Sequence, residues 1–305
     1  MTSPGIPSST RLNEYKLVLL DEIGAFLGDP SPVWNNKLTE ILAARRWEEF
    51  MKAGIFEKQV DYNTPAIVFK DKKKYPSVQE NLINHNGNAT WLEQPSIGYL
   101  YEFYQEHGLE PSPIDGPSTD TIVRRLKAAF CVLAQIPECL NEVTTLIRAI
   151  QVILSEGPDY DASYSHPDIP FSIFVSVCHD AEPVSNLRVA ESILHEAMHL
   201  KLTLIEEVVP LVKSGDTSTF YSPWRDELRS IRGVLHGLFV FTAIQLFYGR
   251  LLIQLDNASG EADFVIKRRR EIFAEIHMLD GLENTNGFTL FGKNLTTSLM
   301  SAAKH

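Results

Sequence analysis

The stretch 233–253 is the most apolar part of the chain. It is long enough, at helical rise, to cross a bilayer, yet it carries His236, Gln245 and Arg250. Polar side chains at those points favour a helix buried in a protein core, which obliges the rest of the chain to wrap around it. Much of that wrapping also reads as helix. Apolar residues recur at helical spacing over 12–27, where Gly28-Asp29-Pro30 stops them, and again over 38–53, where Gly54 does. Further helices are expected over 119–135, 141–155, 184–212, 223–253 and 262–279. The segment Phe171-Ser172-Ile173-Phe174-Val175-Ser176-Val177 is β-branched and aromatic and reads as a strand; Ala66-Ile67-Val68-Phe69 is a second, shorter one. The expected fold class is therefore mainly α (α+β), a helical bundle with a small sheet. Prolines and glycines between 110 and 118 mark a loop. They divide a flexible tail (1–12), a helical amino-terminal region (13–115) and a carboxy-terminal region (116–305), the last two expected to pack as one unit.

A formal net charge of −11 argues against a nucleic-acid partner, because a phosphate backbone demands a basic surface. The short basic run from Lys70 to Lys74 reads as a solvated loop. Cys131, Cys139 and Cys178 form no CxxC pair, and Cys131 lies in an apolar helical pattern as a small hydrophobe would. Together with an amino-terminus lacking an apolar stretch, they point to a reducing, cytoplasmic setting with no membrane.

Chemistry is concentrated in His195-Glu196-Ala197-Met198-His199. Residues four apart on a helix stand one above the other, so the two imidazoles address one point, as a divalent metal requires. Ile193, Leu194, Ala197, Met198 and Leu200 make this a buried helix, in which two unpartnered histidines are costly. The strand over 171–177, if it lies at an edge beside this helix, is a place to hold an extended peptide. A third ligand is not supplied by the next turns. Glu206 and Glu207 read as a solvent-facing rim. Downstream, His236 sits between Gly233 and Gly237 as if another helix passed closely, and Arg232 precedes it by one turn. Pro223 suits the first turn of that helix.

His195-Glu196-x-x-His199, then Ser222-Pro223-Trp224-Arg225, Arg229, and Gly233-Val234-Leu235-His236-Gly237 before Phe239-Val240-Phe241, resemble the HExxH-motif peptide-modification family. That family is associated with peptide natural-product gene clusters, and its characterised members are iron(II)- and 2-oxoglutarate-dependent peptide β-hydroxylases. The likeness spans about residues 165–255, and Ser230 departs from it where proline is expected. It implies an iron(II) dioxygenase using 2-oxoglutarate and O2, with His195, His199 and His236 on the metal. The substrate would be a peptide, such as a natural-product precursor, or an amino acid.

Three histidines leave three positions on iron(II), enough for two oxygens of 2-oxoglutarate and one for O2. The far carboxylate of the cosubstrate calls for arginine. Arg225 and Arg229 are favoured by the family block and Arg232 by its spacing from His236. Glu196 would support a ligand or hold water rather than act as base. Tyr221 and Trp224 are candidates to shape the substrate pocket, and His179, beside Cys178, to contact substrate. Two other readings share the same residues: a zinc metallopeptidase with Glu196 as general base, and a non-catalytic peptide-binding module. The oligomeric state is open.

Overall fold

The computed structural model describes residues 9–52, 77–95, 101–113, 116–157, 160–167, 169, 171–177, 182–256 and 258–303. It is 57% helical with a small mixed sheet, in keeping with a mainly α or α+β class. In chain order the elements are α1 (Ser9–Leu27), α2 (Asn36–Lys52), β1 (Ser77–His85), β2 (Asn88–Pro95), α3 (Tyr101–Glu106), α4 (Gly116–Leu133), α5 (Pro137–Leu146), β3 (Ala149–Val152), β4 (Ser163–Ser165), β5 (Ser172–Val175), α6 (Pro183–Glu206), β6 (Thr219–Ser222), β7 (Glu227–Ser230), α7 (Ile231–Leu252), α8 (Gly260–His277) and α9 (Leu290–Ala302).

Among the described residues, α7 is the one helix long and apolar enough to cross a membrane, and 78% of its apolar window is buried inside the protein. Leu235, Phe239, Phe247 and Tyr248 of α7 are fully buried, and α6, α8 and α9 pack around it. The core includes Ile23 and Leu38 from the amino-terminal region together with Leu126, Ile193 and Ile244, so it runs across the loop near residue 115.

Five strands form one sheet in the order β1-β2-β3-β5-β4, parallel at β2/β3 and β3/β5 and antiparallel at both ends. Every residue of β3 and β5 is buried, as expected of strands covered on both faces. The strand expected at an edge is therefore interior. The edge is the three-residue β4, which packs against α6.

Several boundaries differ from the expected ones. The helix expected over 141–155 ends at Leu146 and gives way to β3, where β-branched Ile150 and Val152 join the sheet. The helix expected from residue 223 begins only at Ile231, capped by the Ser230 hydroxyl, which accepts from Gly233 N at 3.3 Å. Ahead of it β6 and β7 form a hairpin, with Pro223 in the connecting turn and Asp226 in a left-handed conformation (φ 51°). Ser230 thus starts the helix where the resembling family would have proline. Helix α1 starts at Ser9, inside the segment expected as a tail. Cys131 is exposed rather than core, while Cys139 is buried. The strand 66–69, the basic run 70–74, Cys178 and His179 lie outside the described residues.

Candidate functional site

Helical periodicity brings Arg188, Glu191, Ser192, His195, Glu196, His199 and Thr203 of α6 onto the wall of one cleft of about 770 Å³. Facing them are residues 160–167, which include β4, the turn of the β6–β7 hairpin with Trp224 and Arg225, and the first turns of α7 with Arg232 and His236.

The imidazoles of His195 and His199 meet in this cleft, Nε2 to Nε2, at 3.1 Å. Nitrogens bound to a single ion at about 2.1 Å stand roughly 3 Å apart when the angle at the ion lies between square and tetrahedral. A quarter of the His195 side chain is exposed, toward the cleft it lines. Burial is the main force lowering the pKa of both rings, well below the ordinary imidazole value for His199. Neighbouring Glu196 and Glu191 pull His195 the other way without reversing the shift. Both rings are thus held neutral, the form that binds metal.

His236 lies against His199, with ring centroids 5.5 Å apart and planes 20° from parallel. Its Nδ1 is 3.2 Å from His199 Nδ1, and its Nε2 is 3.0 Å from Glu206 Oε2. The three rings are contiguous, but they do not converge: His199 offers one nitrogen to His195 and the other to His236. Among the described residues no group of three His, Cys, Asp or Glu side chains meets at one point.

Hydrogen-bonding roles constrain the tautomers along this row. The Glu206 carboxylate only accepts, so His236 Nε2–H donates to it, and in the neutral ring this leaves Nδ1 with a lone pair. His199 then donates from Nδ1, and its Nε2 lone pair faces His195. Glu206 also accepts from Arg232 Nε (2.9 Å) and NH2 (2.6 Å). Burial pushes the Glu206 carboxyl up, but the bonds from His236 and Arg232 outweigh it and hold the group below its usual value. Glu206 is not the solvent-facing rim residue expected. It lies seven residues beyond His199, two helical turns on, and therefore on the same face. Glu207, 3.3 Å from Arg46, is the residue turned away from the histidine row.

Glu196 is committed to β4. Ser163 Oγ donates to its Oε1 at 2.7 Å and Ser165 Oγ to its Oε2 at 2.6 Å. Alternation along the strand turns both hydroxyls toward α6 and Tyr164 the other way, onto Phe174 and His107. Neither serine was marked by the sequence; their two-residue spacing is the only signal.

Trp224 lies over Gly237, where an added Cβ would come within 2.5 Å of its ring. The close approach expected at Gly237 is real, but it is made by an indole and not by another helix. Trp224 stacks on Phe241 (4.8 Å, 14°), and the Phe241 ring meets His195 edge-on at 5.5 Å. The tryptophan therefore braces the His195 ring.

The three arginines separate. Arg232 is tied to Glu206, and Arg229 lies 3.4 Å from Glu227 with 45% of its side chain exposed. Arg225 makes no ion pair among the described residues. It lines the cleft, and its charge helps depress the pKa of both His195 and His199. Tyr221 does not line the cleft; its hydroxyl donates to Asp226 Oδ1 at 2.7 Å within the hairpin.

No family model matches this chain, and no curated protein matches it. The reading of the site therefore rests on its own residues.

Proposed function

We propose that the chain is an iron(II)- and 2-oxoglutarate-dependent oxygenase that hydroxylates a side-chain β-carbon of a peptide or amino acid in peptide natural-product biosynthesis in the cytoplasm. The observation that carries the reading is the pair of imidazoles with Nε2 atoms 3.1 Å apart in an open cleft. The donors fit a borderline divalent ion such as iron(II) in kind and in protonation. His195 and His199 would hold it on α6. His236, already against His199, would be the third ligand once its ring turns from the His199 Nδ1 contact.

Bound there, iron(II) with 2-oxoglutarate and O2 supplies the oxidation that converts a C–H to a C–OH while 2-oxoglutarate becomes succinate and CO2. The protein's own part is positioning. Arg225 would take the far carboxylate of the cosubstrate, since it lines the cleft and Arg232 and Arg229 already have carboxylate neighbours. Glu206 holds the proton of His236 at Nε2, which leaves Nδ1 as the lone-pair nitrogen. Trp224 and Phe241 keep the His195 ring from turning.

Glu196 favours this reading over a peptidase. Glu196 Oε1 lies 3.9 Å from His195 Nε2, but each of its oxygens accepts from a β4 serine, which draws the carboxylate toward the sheet and weakens it as a general base. The test is anaerobic loading of the purified chain with iron(II), then oxygen-dependent succinate formation from 2-oxoglutarate in the presence of candidate peptides. Iron binding with succinate formation, both lost in His199→Ala, is expected. Peptide cleavage by the zinc-loaded chain without succinate would overturn the proposal, and so would failure to bind any divalent metal.

A further inference from the structure

We infer that β4 is a docking edge: an extended peptide bearing an acidic side chain adds to it as a further strand and is thereby drawn past His195. This rests on the oxygenase reading for what is done to the peptide, but not for how the peptide is held.

The direction of the backbone groups carries the inference. Ser176 N donates to Ala162 O at 2.8 Å, whereas Ile153 N donates to Val175 O at 3.1 Å. Along β5, then, Phe174 and Ser176 face β4, and Val175 faces β3. With Tyr164 opposite Phe174, the Tyr164 backbone groups are spent inside the sheet, and the N–H and C=O of Ser163 and Ser165 point outward. These four groups have no partner among the described residues. They border the cleft, because residues 160–167 form one of its walls. Unpaired strand edges are templates for another strand, and proteins ordinarily blunt or cover them. Among the described residues nothing pairs with this edge, and it borders the cleft that also holds the proposed metal ligands.

Two further features select the occupant. Ser163 and Ser165 reach through Glu196 to α6, so a strand added to β4 has a fixed offset from His195, the residue next to Glu196. The same cleft is lined by Arg225, Arg229 and Arg232. Arg232 is tied to Glu206 and Arg225 would serve the cosubstrate, which leaves Arg229, 45% exposed and 3.4 Å from Glu227, as the cation for a peptide carboxylate. In an added strand, alternate side chains point to one side, and an acidic one directed at the hairpin meets Arg229.

The test uses the full chain without iron, cosubstrate or oxygen turnover, so that it succeeds or fails independently of the oxygenase assay. A displayed library of random linear 12-residue peptides is selected on the immobilised protein, and enriched sequences are measured by fluorescence anisotropy. Enriched peptides are expected to carry Asp or Glu and to weaken on replacement of that residue by its amide or on addition of salt. N-methylation of alternate backbone amides should lower affinity at least tenfold, while methylation of the intervening amides should change it less than threefold. On the protein side, Ser165→Pro removes the outward N–H at a position where proline is tolerated in an edge strand and should cost at least tenfold. Ser165→Ala keeps that N–H and should cost less than threefold.

Three results would overturn the inference: a library that yields no binder, binders indifferent to N-methylation at every position, and a concentration-dependent dimer abolished by Ser165→Pro, which would make a second copy of this chain the occupant. Strand-like binding without succinate formation would leave the docking edge standing and remove the oxygenase reading alone.

Discussion

Helix α6 carries polar residues on two opposite sides, and the two sides are built on different terms. On the buried side Lys201, with no exposed side-chain surface, donates to both Glu142 oxygens at 2.9 Å and to Val33 O at 2.7 Å. Glu142 also accepts from Asn35 N and from the Thr39 hydroxyl. All three ammonium protons are used, as a buried charge requires. On the cleft side His195 and His199 are neutral, with nitrogens facing each other, and Arg225 has no carboxylate partner among the described residues. One helix thus pairs a closed polar network with an open one. The closed network orders the α1–α2 connection, α2 and α5 against α6, whereas the open one presents its nitrogens to the cleft.

Breaking the closed side should have the largest effect. Lys201→Met leaves Glu142 charged and buried without its cation, at a cost of about 3–5 kcal/mol and roughly 10 °C in thermal midpoint by calorimetry. Cobalt(II) affinity of the folded fraction should stay within about twofold. Adding Glu142→Gln to Lys201→Met should restore at least half of the lost stability, because the amide oxygen still accepts from Asn35 N and no charge remains uncompensated. A silent Lys201→Met would erase the distinction between the two sides.

The open side should respond in the opposite sense. His199→Ala should reduce cobalt(II) or iron(II) affinity at least about 100-fold, or by about 2.7 kcal/mol, read by calorimetric titration. Its thermal midpoint should hold nearly steady, since the ring is already neutral and its removal leaves no buried charge unpaired. Glu206→Gln comes next. The amide still accepts from Arg232 but no longer dictates the His236 tautomer, so metal affinity should fall by roughly 10- to 100-fold. A loss of stability with unchanged metal affinity would assign Glu206 to the closed network instead.

The sequence reveals these two sides unequally. His195 and His199 are legible because helix period and ligand spacing are both local. Lys201 reads there as one more residue of an apolar helix, since Glu142 lies 59 positions away and no local pattern links them. Glu206 was within reach of helical counting at seven residues from His199, yet its charge invites a solvent-facing reading. In the sheet, the β1–β2 hairpin has a clear local marker, Asn86-Gly87 with positive φ at both residues, among residues that otherwise read as irregular. The strand β3 has no such marker. Ala149–Val152 continues the apolar run of α5, and periodicity alone does not separate a short buried strand from a helix end. The edge position of β4 is a property of sheet order, which only the folded chain displays.

The smallest expected effect probes the seam between the two sides, where β4 grips Glu196. Ser163→Ala removes one of the two hydroxyl donors and leaves Glu196, almost fully buried, holding its remaining bond from Ser165. A hydrogen bond to a charged acceptor contributes about 1.5–3 kcal/mol when buried. Ser163 is only half-buried, so water can replace part of it and about 1 kcal/mol is expected. Because the released Glu196 oxygen becomes free to turn, the variant also separates the two chemical readings of the cleft. In an oxygenase, succinate formation should drop by no more than about threefold, as alignment loosens. In a zinc peptidase the freed carboxylate would be the base that the wild-type arrangement lacks, and peptide cleavage would increase. A rise in cleavage on Ser163→Ala would therefore count against the oxygenase even though the substitution removes a contact.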